Sequence, residues 1–301
     1  MSIIKVITMR YFYFIAGVLI LTGCGKPNRE ETSQQIESIL SKPKGTFAVA
    51  YKDLITGEEI LINEHLLFHA ASTMKTPVMA EVYRQVAEGK FSLKDSIQIK
   101  NEFISILDGS TFSITRESDS DTLIYDHIGE KRTVYSLMYD MIIISSNLAT
   151  NLIVELVDAK NVTQTMRNMG ANDIQVLRGV EDTKAYEAGM NNQVTAYDLM
   201  LLFEKIDKEE IVNAEASMAM MDILLDQKFN DIIPAKLPAD IKVAHKTGSI
   251  TAVRHDSGIV FLPDGKKYVL VLLSKDLEDE QTGVQAMAEV SEVLYQYTVQ
   301  K

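Results

Sequence analysis

Strand-forming runs stand toward both ends of this chain, with a long helix-forming stretch between them, and that order constrains the fold more than any other feature. Thr46-Phe-Ala-Val-Ala-Tyr51 and Glu59-Ile-Leu-Ile62 are rich in β-branched and aromatic residues. They flank Asp53 and Gly57, so they read as a hairpin. Far downstream, Ile241 to Thr247, Gly258 to Leu262 and Lys267 to Leu273 read as strands, the last two joined by the turn signal Pro263-Asp264-Gly265. Helical spacing rules the middle. Met74, Val78, Met79, Val82 and Val86 form one apolar stripe; Val134, Leu137, Met138, Met141 and Ile142 form another. Leu148, Leu152, Ile153 and Leu156 continue the pattern, followed by helices at Thr195 to Ile206 and Ala214 to Leu225. Helices also fit Ser33 to Leu40 and Glu280 to Tyr297, while 105–122 and 171–194 follow no period. Strands from both termini must meet in one antiparallel sheet. The expectation is an α+β fold: a sheet lobe of residues 41–90 plus 230–301, flanked by helices from both termini, with an all-helical lobe, 91–229, inserted.

The 301 residues, 46% of them hydrophobic, can build a sizeable core. A net charge of −12 argues against nucleic acid as a partner, because phosphate binding rests on an excess of Lys and Arg. The first residues differ from the rest. Lys5 and Arg10 precede an apolar run, Tyr11 to Leu21, which is short for a membrane span and has the form of an export signal. It ends in Leu21-Thr22-Gly23-Cys24, which resembles the bacterial lipobox, and Cys24 is the only cysteine. The expectation is a lipoprotein signal peptide at 1–23, lipidation at Cys24, and a polar tether at 24–40 that grades into the first helix. Such a chain would sit in the bacterial cell envelope, anchored to a membrane by its lipid. One cysteine cannot form an intrachain disulfide, so the fold must stand on its core. His65, His69, His127, His245 and His255 show no two-ligand helical spacing with a carboxylate, and no metal site is expected.

Three polar clusters could carry chemistry. In Ser72-Thr73-Met74-Lys75, at a helix start, residues three apart share a face, which brings the Lys75 amine toward the Ser72 hydroxyl. A serine needs such a base to become a nucleophile, and a buried lysine loses its proton readily. Ser145-Ser146-Asn147 lies between two helical stripes, where hydroxyl and amide groups pass protons or hold a substrate amide, or simply cap a helix. His245-Lys246-Thr247-Gly248-Ser249 ends a strand, offering a cation, a hydroxyl and a glycine that lets a ligand approach the backbone.

Singly each cluster is weak. In this order, Ser-x-x-Lys, Ser-x-Asn and Lys-Thr-Gly resemble the motif set of class A serine β-lactamases and penicillin-binding proteins. Val243 to Ser249 followed by Asp256 to Gly265, and Asn192 to Leu199, extend the resemblance over roughly residues 40–300. It implies the serine β-lactamase fold, with the site between sheet and helical lobe, and no metal or cofactor. Ser72 would attack a β-lactam carbonyl, Lys75 would help deprotonate it, and Ser145 would relay a proton to the lactam nitrogen. Asn147 would bind the substrate's side-chain amide, and Lys246 and Thr247 its carboxylate. Gly248 would line the same strand edge, and the backbone N–H groups of Ser72 and Ser249 would form the oxyanion hole.

Three departures mark this chain. Ser146 replaces the usual aspartate of the second motif. The glutamate that activates water in these enzymes has two candidates: Glu181, just after Arg178, and Glu187, which keeps the family's spacing to Asn191. Ser257 stands where many relatives carry arginine, leaving Arg254 as a nearby substitute. Function therefore divides three ways: β-lactam hydrolysis through a serine acyl-enzyme; a penicillin-binding peptidase acting on D-Ala-D-Ala-like substrates, with slow deacylation; or an inactive module that binds β-lactams or muropeptides. The motif set favours the first, with Glu181 as the deacylating carboxylate.

Overall fold

A computed structural model describes residues 28–301. Residues 1–23, expected to be a signal peptide, and Cys24, the expected lipidation site, lie outside the described residues. In chain order, helix α1 (Arg29–Leu40) leads into strands β1 (Thr46–Asp53), β2 (Glu59–Ile62) and the short β3 (Phe68–His69), then α2 (Lys75–Ala87). Short strands β4 (Ser96–Gln98), β5 (Phe103–Ile104), β6 (Thr111–Phe112) and β7 (Lys131–Thr133) precede α3 (Val134–Ile143), α4 (Asn147–Val157), α5 (Ala159–Asn168) and α6 (Thr183–Glu187). Strand β8 (Gln193–Val194), α7 (Ala196–Asp207) and α8 (Ala214–Leu225) follow. The chain closes with β9 (Lys242–Ile250), β10 (Val253–Phe261), β11 (Lys267–Lys275) and α9 (Glu280–Val299).

The principal sheet has the order β2-β1-β11-β10-β9, antiparallel throughout, so the N-terminal hairpin and the C-terminal meander share one layer. Alternation along β11 explains why it is apolar end to end. Tyr268, Leu270 and Leu272 face one core with Phe47, Val49 and Tyr51, covered by Ile36 of α1 and Val290 and Leu294 of α9. Val269, Val271 and Leu273 face the other, with Ala48 and Ala50, against Leu199, Leu202 and Phe203 of α7 and the helices beyond. A strand buried on both faces needs no polar alternation. Each such leucine contributes about 2 kcal/mol through burial, so the sheet is the rigid element from which the site is hung.

Several boundaries differ from those read in the sequence. The first helix starts at Arg29 because Asn28 caps it, its side chain accepting the Glu30 N–H at 3.0 Å. The stretch 105–122 contains β6 of a small hairpin and one 3-10 turn, Arg116–Ser118, and 171–194 contains α6 and β8. Two-residue strands carry too few side chains to print a period.

Candidate active site

The backbone around Ser72 is held in an unusual shape. Ala71 adopts φ +44, a left-handed conformation uncommon for a residue with a Cβ. Residues Ala71–Met74 form a 3-10 turn that runs into α2, so Ser72 lies in the turn ahead of the helix proper. His69 Nδ1 accepts the Ala71 N–H at 3.0 Å, and Thr73 N–H and Oγ1–H both donate to Ala70 O. His255, buried in β10, donates from Nε2 to His69 O at 2.9 Å and accepts the Ser274 N–H at Nδ1. Burial lowers the pKa of both imidazoles to about 4, which keeps these nitrogens available as acceptors near neutral pH. Strand β9 comes very close: a Cβ on Gly248 would lie 3.2 Å from the Ser72 nitrogen. A side chain there would press on the Ser72 turn, and glycine lets the strand lie this close.

Two amines meet behind this turn. Lys75 and Lys246 are both fully buried. Lys75 Nζ donates to Ser145 O at 2.8 Å, Ser145 Oγ at 3.0 Å and Asn147 Oδ1 at 3.0 Å. The expected approach to Ser72 is therefore not a hydrogen bond in this state; the amine is drawn across to the Ser145 turn, which supplies three acceptors. Lys246 Nζ donates to Ser145 Oγ at 3.2 Å and to Thr247 O at 2.9 Å. Burial pushes Lys75 down to about 7, against the opposing pull of Asp119 and Glu181. Burial, then repulsion from Lys75, lowers Lys246 well below its ordinary value, and Asp256 opposes this. With both lone pairs of Ser145 Oγ engaged by amines, its own O–H is left to donate into the cleft.

Ser145 itself has φ +59. The turn is secured by Ser146, whose N–H donates to Asp140 O and whose Oγ caps α4 by accepting the Ala149 N–H. The capping role and the site role thus coexist in one motif. A residue with no motif of its own does more. Asp119, buried, accepts Asn147 N–H at 2.9 Å and Asp121 N–H at 3.0 Å on Oδ1. On Oδ2 it accepts Leu148 N–H at 2.8 Å and the Tyr125 hydroxyl at 3.0 Å. It satisfies two otherwise orphaned donors at the start of α4 and fixes Asn147. Sequence reasoning missed it, since one aspartate among 42 acidic residues carries no signal.

Of the two candidate glutamates, Glu181 is on the cavity wall and Glu187 ends α6, outside the cavity lining. Glu181 has φ +63 and its Oε1 accepts from Asn147 Nδ2 at a long 3.4 Å. Partial desolvation raises its pKa; Lys75 opposes the rise, Asp119 adds to it, and Arg178 opposes it. Asn151 of α4 grips the residue before it, accepting Val180 N–H at 2.6 Å and donating to Val180 O at 3.0 Å. Gly179 admits Asn151 there, because a Cβ would fall 2.1 Å from Asn151 Oδ1. Arg254 also lines the cavity, but its guanidinium is paired with Glu280 at 2.5 Å. His245 is packed inside β9, bonded to Asp256 at 2.8 Å and to Asn230 at 3.1 Å.

The result is a cavity of about 860 Å³ between sheet and helices, lined by Ser72, Ser145, Asn147, Glu181, Thr247 and Ser249. The Ser72 hydroxyl, the Ser145 hydroxyl and the Glu181 carboxylate line one space, with the buried Lys75 amine directly behind Ser145. That set suits acyl transfer to serine followed by hydrolysis of the ester.

Comparison with known proteins agrees with this chemistry. The model of the beta-lactamase enzyme family matches residues 31–298. A beta-lactamase of Bacteroides uniformis is 26% identical over 303 residues, covering 94% of this chain and 98% of the relative. Among solved structures, a beta-lactamase from Sphaerobacter thermophilus aligns with TM-score 0.77 and 25% identity, covering 91% of this chain and 98% of that one. A penicillin G acyl-enzyme complex of a PBP-A mutant aligns with TM-score 0.78 and 25% identity, covering 92% and 99%.

Proposed function

The chain belongs to the beta-lactamase enzyme family, and from that premise we propose that it hydrolyses β-lactams through an acyl-enzyme on Ser72. The observation that carries this reading is the convergence on Ser145 Oγ of Lys75 and Lys246, from two distant parts of the chain, beside Ser72 and Glu181.

In acylation the Ser72 oxygen attacks the lactam carbonyl carbon and its proton passes to the neutral Lys75 amine, a form well populated near pH 7. The lactam C–N bond breaks, and the ring nitrogen takes a proton from Ser145, which is replenished by Lys75 across the 3.0 Å bond. Thr247 and Lys246 receive the substrate carboxylate. An anion beside Lys246 restores the ammonium that burial disfavours, so binding and protonation reinforce one another. In deacylation Glu181 takes a proton from water as the water oxygen bonds to the ester carbonyl; the C–O bond to Ser72 then breaks and Ser72 recovers a proton. Glu181 on the cavity wall, with a raised pKa, favours this outcome over a persistent acyl-enzyme. The test is turnover of a chromogenic cephalosporin by the folded protein and its loss in Ser72→Ala; intact protein that neither turns over nor is acylated would sink the reading.

Export and lipid anchoring at Cys24 form part of the same proposal, supported by the charged start, the short apolar run and the lone cysteine at its end. Incorporation of labelled fatty acid into the wild-type chain and not into Cys24→Ala tests it.

A further inference from the structure

The loop that carries Glu181 is gripped a second time, from outside the cavity, by the tip of the β5–β6 hairpin. Asp182, the next residue, is buried, and its Oδ1 accepts the Ser105 hydroxyl at 2.9 Å while Oδ2 accepts the Ile106 N–H at 3.0 Å. The same carboxylate caps α6 by accepting Ala185 N–H at 3.2 Å. Two residues on, Lys184 Nζ reaches Asp108 at 2.8 Å and Ser110 at 2.7 Å. The hairpin tip is itself closed, with Ser105 N–H donating to Ser110 O at 2.8 Å and Gly109 N–H to Ser105 O at 3.0 Å. At its base, Asn101 brackets Ile114 with two bonds of 2.8 Å.

These bonds do something the catalytic residues cannot do for themselves. Glu181 sits at φ +63, a conformation that costs a non-glycine residue about 1–2 kcal/mol and persists only where its surroundings over-determine it. Asn151 fixes the preceding residue, and Ser105 and Ile106 of the hairpin tip fix the following one, Asp182. No bond from this hairpin tip reaches Ser72, Lys75 or Ser145 among the described residues. We propose that the hairpin tip, through Asp182, is a clamp that aims Glu181 at the acyl-enzyme, so that it sets the rate of deacylation and leaves acylation alone. Asp182 and Ser105 are positioning residues in this scheme. The inference rests on the reading of Ser72 as nucleophile and Glu181 as the base that activates water.

The experiment follows penicillin G on the whole protein by intact mass at short times, giving acylation and deacylation rates separately, with thermal melts for each variant. Asp182→Asn removes one acceptor from the clamp; Ser105→Ala removes one donor from the hairpin side and is small enough to leave the fold intact. In both, acylation stays within about threefold of wild type while deacylation slows about ten- to a hundredfold, the scale of a catalytic group displaced by an ångström. The mass of the Ser72 adduct then persists where wild type shows it fleetingly. Adduct lifetimes within about twofold of wild type in both folded variants overturn the proposal, as does an equal loss of both rates alongside a lowered melting temperature. Failure of the underlying reading looks different: the unaltered protein would form no adduct at Ser72 and open no penicillin, or Glu181→Gln would leave the adduct lifetime unchanged.

Discussion

Replacing Asp119 by asparagine tests the electrostatic design of the site, because the carboxylate serves it in two separable ways. Each oxygen of Asp119 accepts two hydrogen bonds, Asp121 N–H and Asn147 N–H on one, Tyr125 O–H and Leu148 N–H on the other. An amide keeps one oxygen, so two of those bonds are lost and an NH2 group is turned toward donors. Hydrogen bonds to a charged group contribute about 1.5–3 kcal/mol each, so Asp119→Asn should cost roughly 3 kcal/mol. At about 2–4 °C per kcal/mol for chains of this order of size, the melting temperature should fall by roughly 6–12 °C. The second effect is on Lys75, whose pKa is pushed down to about 7 by burial and held up in part by Asp119. With that negative charge gone the amine loses its proton more readily. In the proposed mechanism acylation needs the neutral amine, so its rate in wild type should rise with pH through about 7, and in the variant this limb should move to lower pH. Single-turnover acylation by a chromogenic cephalosporin from pH 5 to 9, with a thermal melt at each pH, reads both effects. A melting temperature within about 2 °C of wild type refutes the bond count. A limb that stays or moves to higher pH refutes the role of the Asp119 charge.

Two further outcomes follow from particular contacts. His69 Nδ1 holds the Ala71 N–H at 3.0 Å, a place that an asparagine oxygen also reaches, so His69→Asn should keep the acylation rate while His69→Phe slows it about tenfold, the equivalent of one lost bond; equal rates in the two variants count against this. Glu280 ties Arg254 at 2.5 Å while accepting Ala252 N–H at 2.8 Å, and Glu280→Gln keeps the second bond but frees the guanidinium to face the cavity. The Michaelis constant for carboxylate-bearing β-lactams should drop about threefold with kcat unchanged, the range of a partly exposed ion pair, and an unchanged constant in steady-state assays would show that Arg254 cannot reach the ligand.

What was legible in the sequence was whatever chain-local spacing decides. Runs of β-branched and aromatic residues between turn signals placed the sheet strands, and helical spacing placed most long helices, because both act on near neighbours. Ser72 and Lys75 are three residues apart, and Ser145 and Asn147 two, so each motif could be found in the order of residues alone, although the bonds of Lys75 to Ser145 and Asn147 could not. What escaped was set by closure of distant segments. Spacing to an asparagine argued for Glu187, position along the loop after Arg178 argued somewhat better for Glu181, and the path of the loop between Asn151 and the β5–β6 hairpin is what puts Glu181 on the cavity wall. Arg254 had the right chemistry, but Glu280 on a helix that begins 19 residues after Phe261 is what holds it aside. Asp119 illustrates the same limit from the other direction. The second motif carries Ser146, and the carboxylate that serves the same turn comes from Asp119, 27 residues upstream and just past a 3-10 turn. The buried carboxylate that meets the first N–H groups of α4 comes from a distant part of the chain, so no motif centred on Ser145 and Asn147 could announce it.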